Sequence, residues 1–229
     1  MKKLAILASC CAGAIAHANT ATDILSSTFA NTGVAVNAST LGVGLDLSKA
    51  VYKDYLTVRF NANYLPLSMT AEQVNANLVL NTYGLLLDYQ PFAGNFRLSG
   101  GLYYNNNSFS GTAKPDQSIT LNGVTYQASD FTDYSAKVDF TKFAPYIGIG
   151  YGAGAVTSNA RKGFFFKTDV GMMYAKPNLS VNAQCASSMT ASQCQEFQFD
   201  LQEQIKSSQS TLNILSFYPV VNLGLGYRF

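Results

Sequence analysis

In residues 55–64 the side chains alternate: Leu56, Val58, Phe60, Ala62 and Tyr64 take one face, and Tyr55, Thr57, Arg59, Asn61 and Asn63 the other. Successive residues of a strand point to opposite faces, so a period of two predicts a β-strand with one apolar side. The pattern returns in residues 96–105, with Phe96, Leu98, Leu102 and Tyr104 against Arg97, Ser99, Tyr103 and Asn105. It returns again in residues 164–174, where Phe164, Phe166, Val170, Met172 and Tyr174 oppose Phe165, Lys167, Asp169, Gly171 and Met173. Residues 220–229 set Val221, Leu223, Leu225, Tyr227 and Phe229 against Asn222, Gly224, Gly226 and Arg228. No apolar run beyond Ala18 approaches the ~20 residues of a membrane helix. The chain therefore predicts an all-β protein.

A soluble sandwich also alternates, so period alone does not name the solvent. The contrast between faces does more. One is made of large aliphatic and aromatic residues, the other of Gly, Ser, Asn, Asp, Lys and Arg. In a membrane barrel the first meets lipid and the second lines a narrow lumen. The N-terminus points the same way: Met1-Lys2-Lys3, the apolar residues 4–15 and Ala16-His17-Ala18 are the parts of a secretory signal peptide, residues 1–18, cut after Ala18. Leu7-Ala8-Ser9-Cys10 resembles a lipoprotein cleavage box, but it leaves an apolar core below the ~7–15 residues such signals carry. The barrel domain is then residues 19–229. Its 14 Tyr and 15 Phe without Trp, and its Tyr227-Arg228-Phe229 end, favour the membrane solvent.

Composition removes several function classes. Without Lys2 and Lys3, 13 basic residues face 13 acidic ones, so there is no electrostatic argument for nucleic acid. The only histidine, His17, leaves with the signal peptide. Ser-His, Cys-His and His-metal chemistry are then missing, and no enzyme activity, metal or cofactor is expected. Gly148, Gly150, Gly152 and Gly154 alternate along a strand and lack a following Lys-Ser/Thr, so they relieve crowding or permit curvature rather than hold a phosphate.

Val43-Gly44-Leu45, Leu85-Leu86-Leu87-Asp88-Tyr89-Gln90-Pro91-Phe92, Phe96-Arg97-Leu98-Ser99-Gly100-Gly101-Leu102-Tyr103, Ala144-Pro145-Tyr146-Ile147-Gly148-Ile149-Gly150 and the segment from Tyr218 to Phe229 together resemble a proteobacterial outer-membrane barrel family. More remotely they resemble the CarO and OmpW barrels. The resemblance covers nearly all of residues 19–229. It implies an integral outer-membrane barrel whose terminal aromatic strand, with Tyr227 and Phe229, is read by the barrel-assembly machinery. It transfers little function beyond small-solute permeation.

Connections come in two kinds. Residues 50–54, 90–95 and 141–143 are short, whereas 66–75, 106–132 and 153–162 are longer and polar. Short turns belong in the periplasm and long loops outside. Eight obvious strands leave Phe229 on the wrong side. Adding the weaker segments 33–37 and 178–182 repairs the parity, so a closed antiparallel up-and-down transmembrane barrel of ten strands is preferred over eight. Residues 106–132 lie outside in the first count and in the periplasm in the second. Phe197, Leu201, Ile205 and Leu212 recur at helical spacing and predict an extracellular helical cap over 195–212. Asn122-Gly123 within residues 119–126 predicts a two-residue hairpin turn. Cys185 and Cys194 remain as one pair in an oxidising compartment and predict a loop disulfide.

Charged strand residues are expected on the inner face: Arg59, Arg97, Lys137, Lys167 and Arg228 with Asp46, Asp88, Asp139 and Asp169. In so narrow a lumen opposite charges pair, because an unpaired buried charge costs several kcal/mol. The arrangement reads as an ion-pair plug, with a polar solute path as the alternative. The function that follows is a monomer in contact with outer-membrane lipid and lipopolysaccharide, structural or surface-acting, with at most narrow porin-like permeability. The alternative is an extracellular-loop adhesin or receptor built from residues 106–132 and 183–217.

Overall fold

The computed structural model describes residues 31–71, 74–113, 118–152 and 162–229; the expected signal peptide, residues 1–18, lies outside them. Eight strands close a ring: β1 (Thr32–Ser39), β2 (Gly42–Tyr52), β3 (Leu56–Ala71), β4 (Val74–Tyr89), β5 (Phe96–Asn105), β10 (Phe143–Tyr151), β11 (Gly163–Tyr174) and β13 (Phe217–Arg228). Every pairing is antiparallel, and β13 closes on β1 from Gly33↔Arg228 to Ser39↔Asn222. The Phe229 amide donates to the Thr32 carbonyl at 3.0 Å, so both ends of the ring's chain meet at one rim, here called the terminal rim.

The ring corrects the expected count of ten. All ten expected segments are strands, but two of them lie outside the ring. β6 (Ser108–Ala113), β9 (Phe131–Phe140) and β12 (Pro177–Cys185) continue β5, β10 and β11 past the far rim, each after a two-residue break. Direction is kept across each break. Backbone hydrogen bonds bridge the crease from strand to strand: Asn106 to Asn81 at 2.8 Å, Asn105 to Lys142 at 2.6 Å and Thr141 to Lys176 at 3.0 Å. Residues 141–143 are thus a crease at the far rim, not a turn at the terminal one. Residues 66–75 belong mostly to β3 and β4, which pair from Leu56↔Tyr89 to Ala71↔Val74. Residues 153–161 lie outside the described residues, but β10 ends and β11 begins at the terminal rim, where Tyr151 pairs with Phe96 and Gly163 with Arg228, the side opposite to the one expected for that connection. The described part of residues 106–132 stands beyond the far rim, away from Thr32 and Phe229, even though the ring has eight strands.

The ring's exterior carries exposed Val36, Leu45, Phe60, Leu85, Ile147, Val170 and Leu223. Aromatic side chains edge this band at both ends. Tyr104 packs on Phe143 at 5.8 Å and Tyr174 on Phe217 at 5.3 Å at the far rim, while Phe164, Tyr227 and Phe229 form a ladder at the terminal rim. Phe164 and Tyr174 sit at the two girdles of a single strand, β11, a span that matches the ~9–11 residues of a tilted crossing strand. An apolar belt between aromatic girdles is the exterior of a transmembrane barrel. No helix among the described residues is long and apolar enough to cross a membrane, so the crossing is made by strands.

Beyond the crease the polarity of the sheet inverts. In β3 the outward residues run Val58, Phe60, Ala62, Tyr64 and then Pro66, Ser68, Thr70; the inward ones run Arg59, Asn61, Asn63 and then Leu65, Leu67, Met69. Pairing carries the inversion sideways, since Leu78 faces Phe109, Phe109 faces Val138 and Val138 faces Leu179. Water replaces lipid outside the wall there, so the apolar side turns inward. Helix α1 (Ala191–Leu212) covers the β9–β12 part of that side. The Thr190-x-x-Gln193 capping box starts it, and Phe197 and Leu201 bury against Phe131, Ala183, Leu121 and Tyr126. Leu121 and Tyr126 come from the short hairpin β7 (Ile119–Leu121) and β8 (Val124–Tyr126), whose Asn122 and Gly123 take positive φ of 49° and 85° as the turn requires. Cys185 and Cys194 form a disulfide that ties the end of β12 to the first turn of α1.

Candidate functional site

The lumen is filled in two layers. The layer toward the terminal rim is ionic and is organised on Arg59 of β3. Its Nε donates to Asp88 Oδ2 at 2.8 Å and its Nη2 to Asp88 Oδ1 at 3.0 Å, a two-point fork between neighbouring strands. Its Nη1 reaches across the lumen to Asp169 Oδ2 of β11 at 3.2 Å and lies 3.9 Å from Asp46 of β2. Arg97 of β5 donates to Asp169 Oδ1 at 2.6 Å and to the Gly152 carbonyl at 2.6 Å. Lys167 contacts Asp46 and stands 3.7 Å from Asp169. Three cations therefore meet three carboxylates, and each of the six is 3% exposed or less. Side chains so deeply buried fill the bore at their level among the described residues.

Neutral polar groups satisfy the remaining acceptors. Asn37 and Asn61 donate to the two Asp46 oxygens at 2.8 and 2.9 Å, and the Ser99 hydroxyl donates to Asp88 at 2.6 Å. Asn61 and Asn63 bond each other, and Asn63 donates on to Thr82 at 3.0 Å. A buried ionic cluster is tolerable only with such saturation, because desolvation of each ion costs several kcal/mol.

Toward the far rim Leu41, Leu86, Tyr103, Ala144, Tyr146, Met173, Ala175 and Val220 form one buried apolar cluster, beside the buried Asn63, Thr82 and Asn105 of β3, β4 and β5. Tyr103 and Tyr146, on the neighbouring strands β5 and β10, meet edge to face at 5.5 Å inside the bore. Leu41 lies in the two-residue turn between β1 and β2 yet is only 1% exposed, folded over the mouth of the ring. The positive φ of Gly42 (112°) ends that turn.

Glycines make room for both layers. A Cβ on Gly150 would lie 2.6 Å from Asp169 Oδ1 and 2.7 Å from Arg97 Nε, and one on Gly148 would strike the Tyr146 ring. Gly150→Ala is expected to cost about 1–3 kcal/mol of barrel stability by overpacking. Gly100→Ala, whose Cβ meets nothing nearer than 3.9 Å, should be almost neutral in the same urea titration. Equal effects would mean that the ionic layer yields freely.

Six of the nine expected lumen charges come together, and three do not. Lys137 and Asp139 pair with each other at 3.0 Å on the outer, water-facing side of β9, beyond the crease. Their inward assignment is corrected by the polarity inversion, which puts Ala136 and Val138 inside instead. Arg228 lies at the terminal rim with its guanidinium 5.7 Å from the Phe165 ring. The sequence did not single out Asn37, Asn61, Asn63 and Ser99 as carboxylate partners, nor Leu41 as a cork. The asparagines sit at period-two spacing on the charged face and carried a usable signal; Leu41, in a turn, carried none.

No protein-family model matches the chain, and no curated sequence matches it. Among solved structures, the crystal structure of Acinetobacter baumannii CarO aligns at 15% identity with a TM-score of 0.54, covering 87% of this chain and 98% of that one. The chain has a CarO-like barrel fold. A second structure, Acinetobacter baumannii CarO2, aligns at 15% identity and a TM-score of 0.53, covering 87% of this chain and 99% of that one. At this identity the likeness carries the CarO-like fold alone. What this CarO-like barrel can do rests on its own side chains, and these close the bore twice over.

Proposed function

We propose that the protein is an integral outer-membrane barrel with a structural or surface role and at most narrow permeability to small solutes. It acts as a monomer, carries no enzymatic activity and needs no cofactor. The observation that carries this reading is the filled lumen, a neutral six-charge layer beneath an apolar one. The terminal rim faces the periplasm, in keeping with the short turns at residues 53–55 and 90–95, and the creased sheet with α1 faces outward. Lipid and lipopolysaccharide surround the apolar belt. Purified protein in planar bilayers should show little steady conductance; a large and stable wild-type current overturns the reading. Orientation is checked with a single cysteine at Asn122, an exposed turn residue, in protein whose Cys185 and Cys194 are serine. It should react with an impermeant maleimide on intact cells, and labelling only after permeabilisation would reverse the two rims.

Tyr227 and Phe229, edge to face at 5.2 Å, form the edge that the assembly machinery reads. Deleting Phe229 should lower the amount of heat-modifiable folded barrel in outer membranes, and unchanged folded protein would refute this role.

A second reading, an adhesin or receptor, is favoured by one observation. The β3–β4–β6 part of the inverted face leaves Leu67, Met69 and Phe109 exposed where α1 does not reach. Binding to host or matrix that depends on residues 106–132 and 183–217, without flux, supports it. Flux without such binding opposes it.

A further inference from the structure

A trough runs down the exterior of the ring over β13, between β1 and β11. Two adjoining cavities of about 620 and 360 Å³ compose it, and they share Val36, Phe166 and Leu225. Side-chain size explains its walls. β1 presents only Val34, Val36 and Ala38 outward, whereas β11 raises Phe164 and Phe166 on the other side of β13. Cross-strand pairing aligns Val36, Leu225 and Phe166 in one row and Val34, Tyr227 and Phe164 in the next toward the terminal rim. From Ala38 to Val34 the trough follows the strand for about 13 Å, at ~3.3 Å per residue. One leaflet of hydrocarbon is about 15 Å deep. Strands of such a barrel tilt by about 35–45°, so the trough spans about 10 Å of depth and fits within one leaflet, that of the terminal rim. At its open end stands the exposed Lys162, two residues before Phe164.

Between the girdles hydrocarbon is the only solvent, so what fills this trough is an acyl chain. We propose that the trough is a retaining site for one glycerophospholipid of the terminal-rim leaflet, with one acyl chain laid along β13 and its phosphate near Lys162. The valines and alanine of β1 and the phenylalanines of β11 flank the outward Leu223, Leu225 and Tyr227 of β13, so a chain gains contacts from three strands.

The proposal rests on the membrane reading above, and the experiment keeps the two apart. Barrel extracted from outer membranes and washed extensively in detergent is analysed by native mass spectrometry, with heat-modifiability reporting the fold. Wild type should retain one phospholipid per barrel. Val36→Phe with Ala38→Phe fills the trough and should lower occupancy about tenfold or more. Phe166→Ala removes the high wall instead of filling the space, so it tests the site independently should the double variant not assemble; it should also lose the lipid. Leu85→Phe, outward on β4 and far from the trough, should keep it. Folded wild type without lipid, equal retention in the trough variants, or a retained lipopolysaccharide in place of phospholipid overturns the proposal. Recovery of wild-type protein in the soluble fraction would instead overturn the membrane reading.

Discussion

Arg59→Ala is expected to destabilise the folded barrel by about 3–5 kcal/mol, the usual consequence of removing one partner from a buried ionic cluster. The guanidinium forks onto Asp88, bonds Asp169 and lies near Asp46, so its loss leaves three carboxylates facing only Arg97 and Lys167. None of these groups reaches water, and the geometry of the ring fixes their separation. Arg59→Lys keeps the charge but not the fork, and should fall between wild type and alanine. Lys137→Ala is the control. Its pair with Asp139 is half-exposed on the outer side of β9, and such a pair contributes about 0–1 kcal/mol. Urea unfolding of barrel inserted in lipid vesicles, read by heat-modifiable mobility, measures all three. An Arg59→Ala loss no larger than that of Lys137→Ala would show that the ionic layer is hydrated or rearranges freely.

Much of this architecture was legible because a barrel wall writes a period of two in large side chains. β3, β5, β11 and β13 were readable strand by strand, and the inward side of the six buried charges followed from the same alternation. The strand count was not legible, for a physical reason. A strand that crosses the membrane surface looks like two strands when its polarity inverts at a crease, and β9 with β10 was read as a hairpin although both run the same way. Counting parity over such halves puts residues 141–143 and the β10–β11 connection on the wrong rim. The inversion itself was written in residues 65–70, where Leu65, Leu67 and Met69 alternate with Pro66, Ser68 and Thr70 in the opposite phase to Val58, Phe60 and Ala62. Read as a loop, it lost its meaning. The same assumption, that polar strand residues always face inward, misplaced Lys137 and Asp139. Contacts across the bore, such as Arg59 to Asp169, depend on which strands face each other and leave no local trace.

The two layers close the bore in series, and this decides what charge removal does to conduction. Arg59→Ala with Arg97→Ala removes two of the three buried cations and leaves Asp46, Asp88 and Asp169 with Lys167 alone. Water and cations are then drawn into the half toward the terminal rim. They still meet Leu41, Leu86, Tyr103, Tyr146 and Met173, which form one buried cluster in the other half. An ion entering that layer loses its hydration and meets no opposite charge, a cost of several kcal/mol or more. The double variant should therefore stay as silent as wild type in planar bilayers. Tyr103→Ser with Tyr146→Ser should also stay silent, because it opens only the apolar half above an intact, neutral ionic layer. The four changes together should give a steady current well above wild type, cation-favouring because the exposed bore is negative. Folded fraction is measured on each sample, so that silence is scored only on heat-modifiable barrel. A leak from the charge variant alone would show that the apolar layer is no seal. A leak from the tyrosine variant alone would show that the ion pairs let solutes through, and the lumen would then be a selective path rather than a plug.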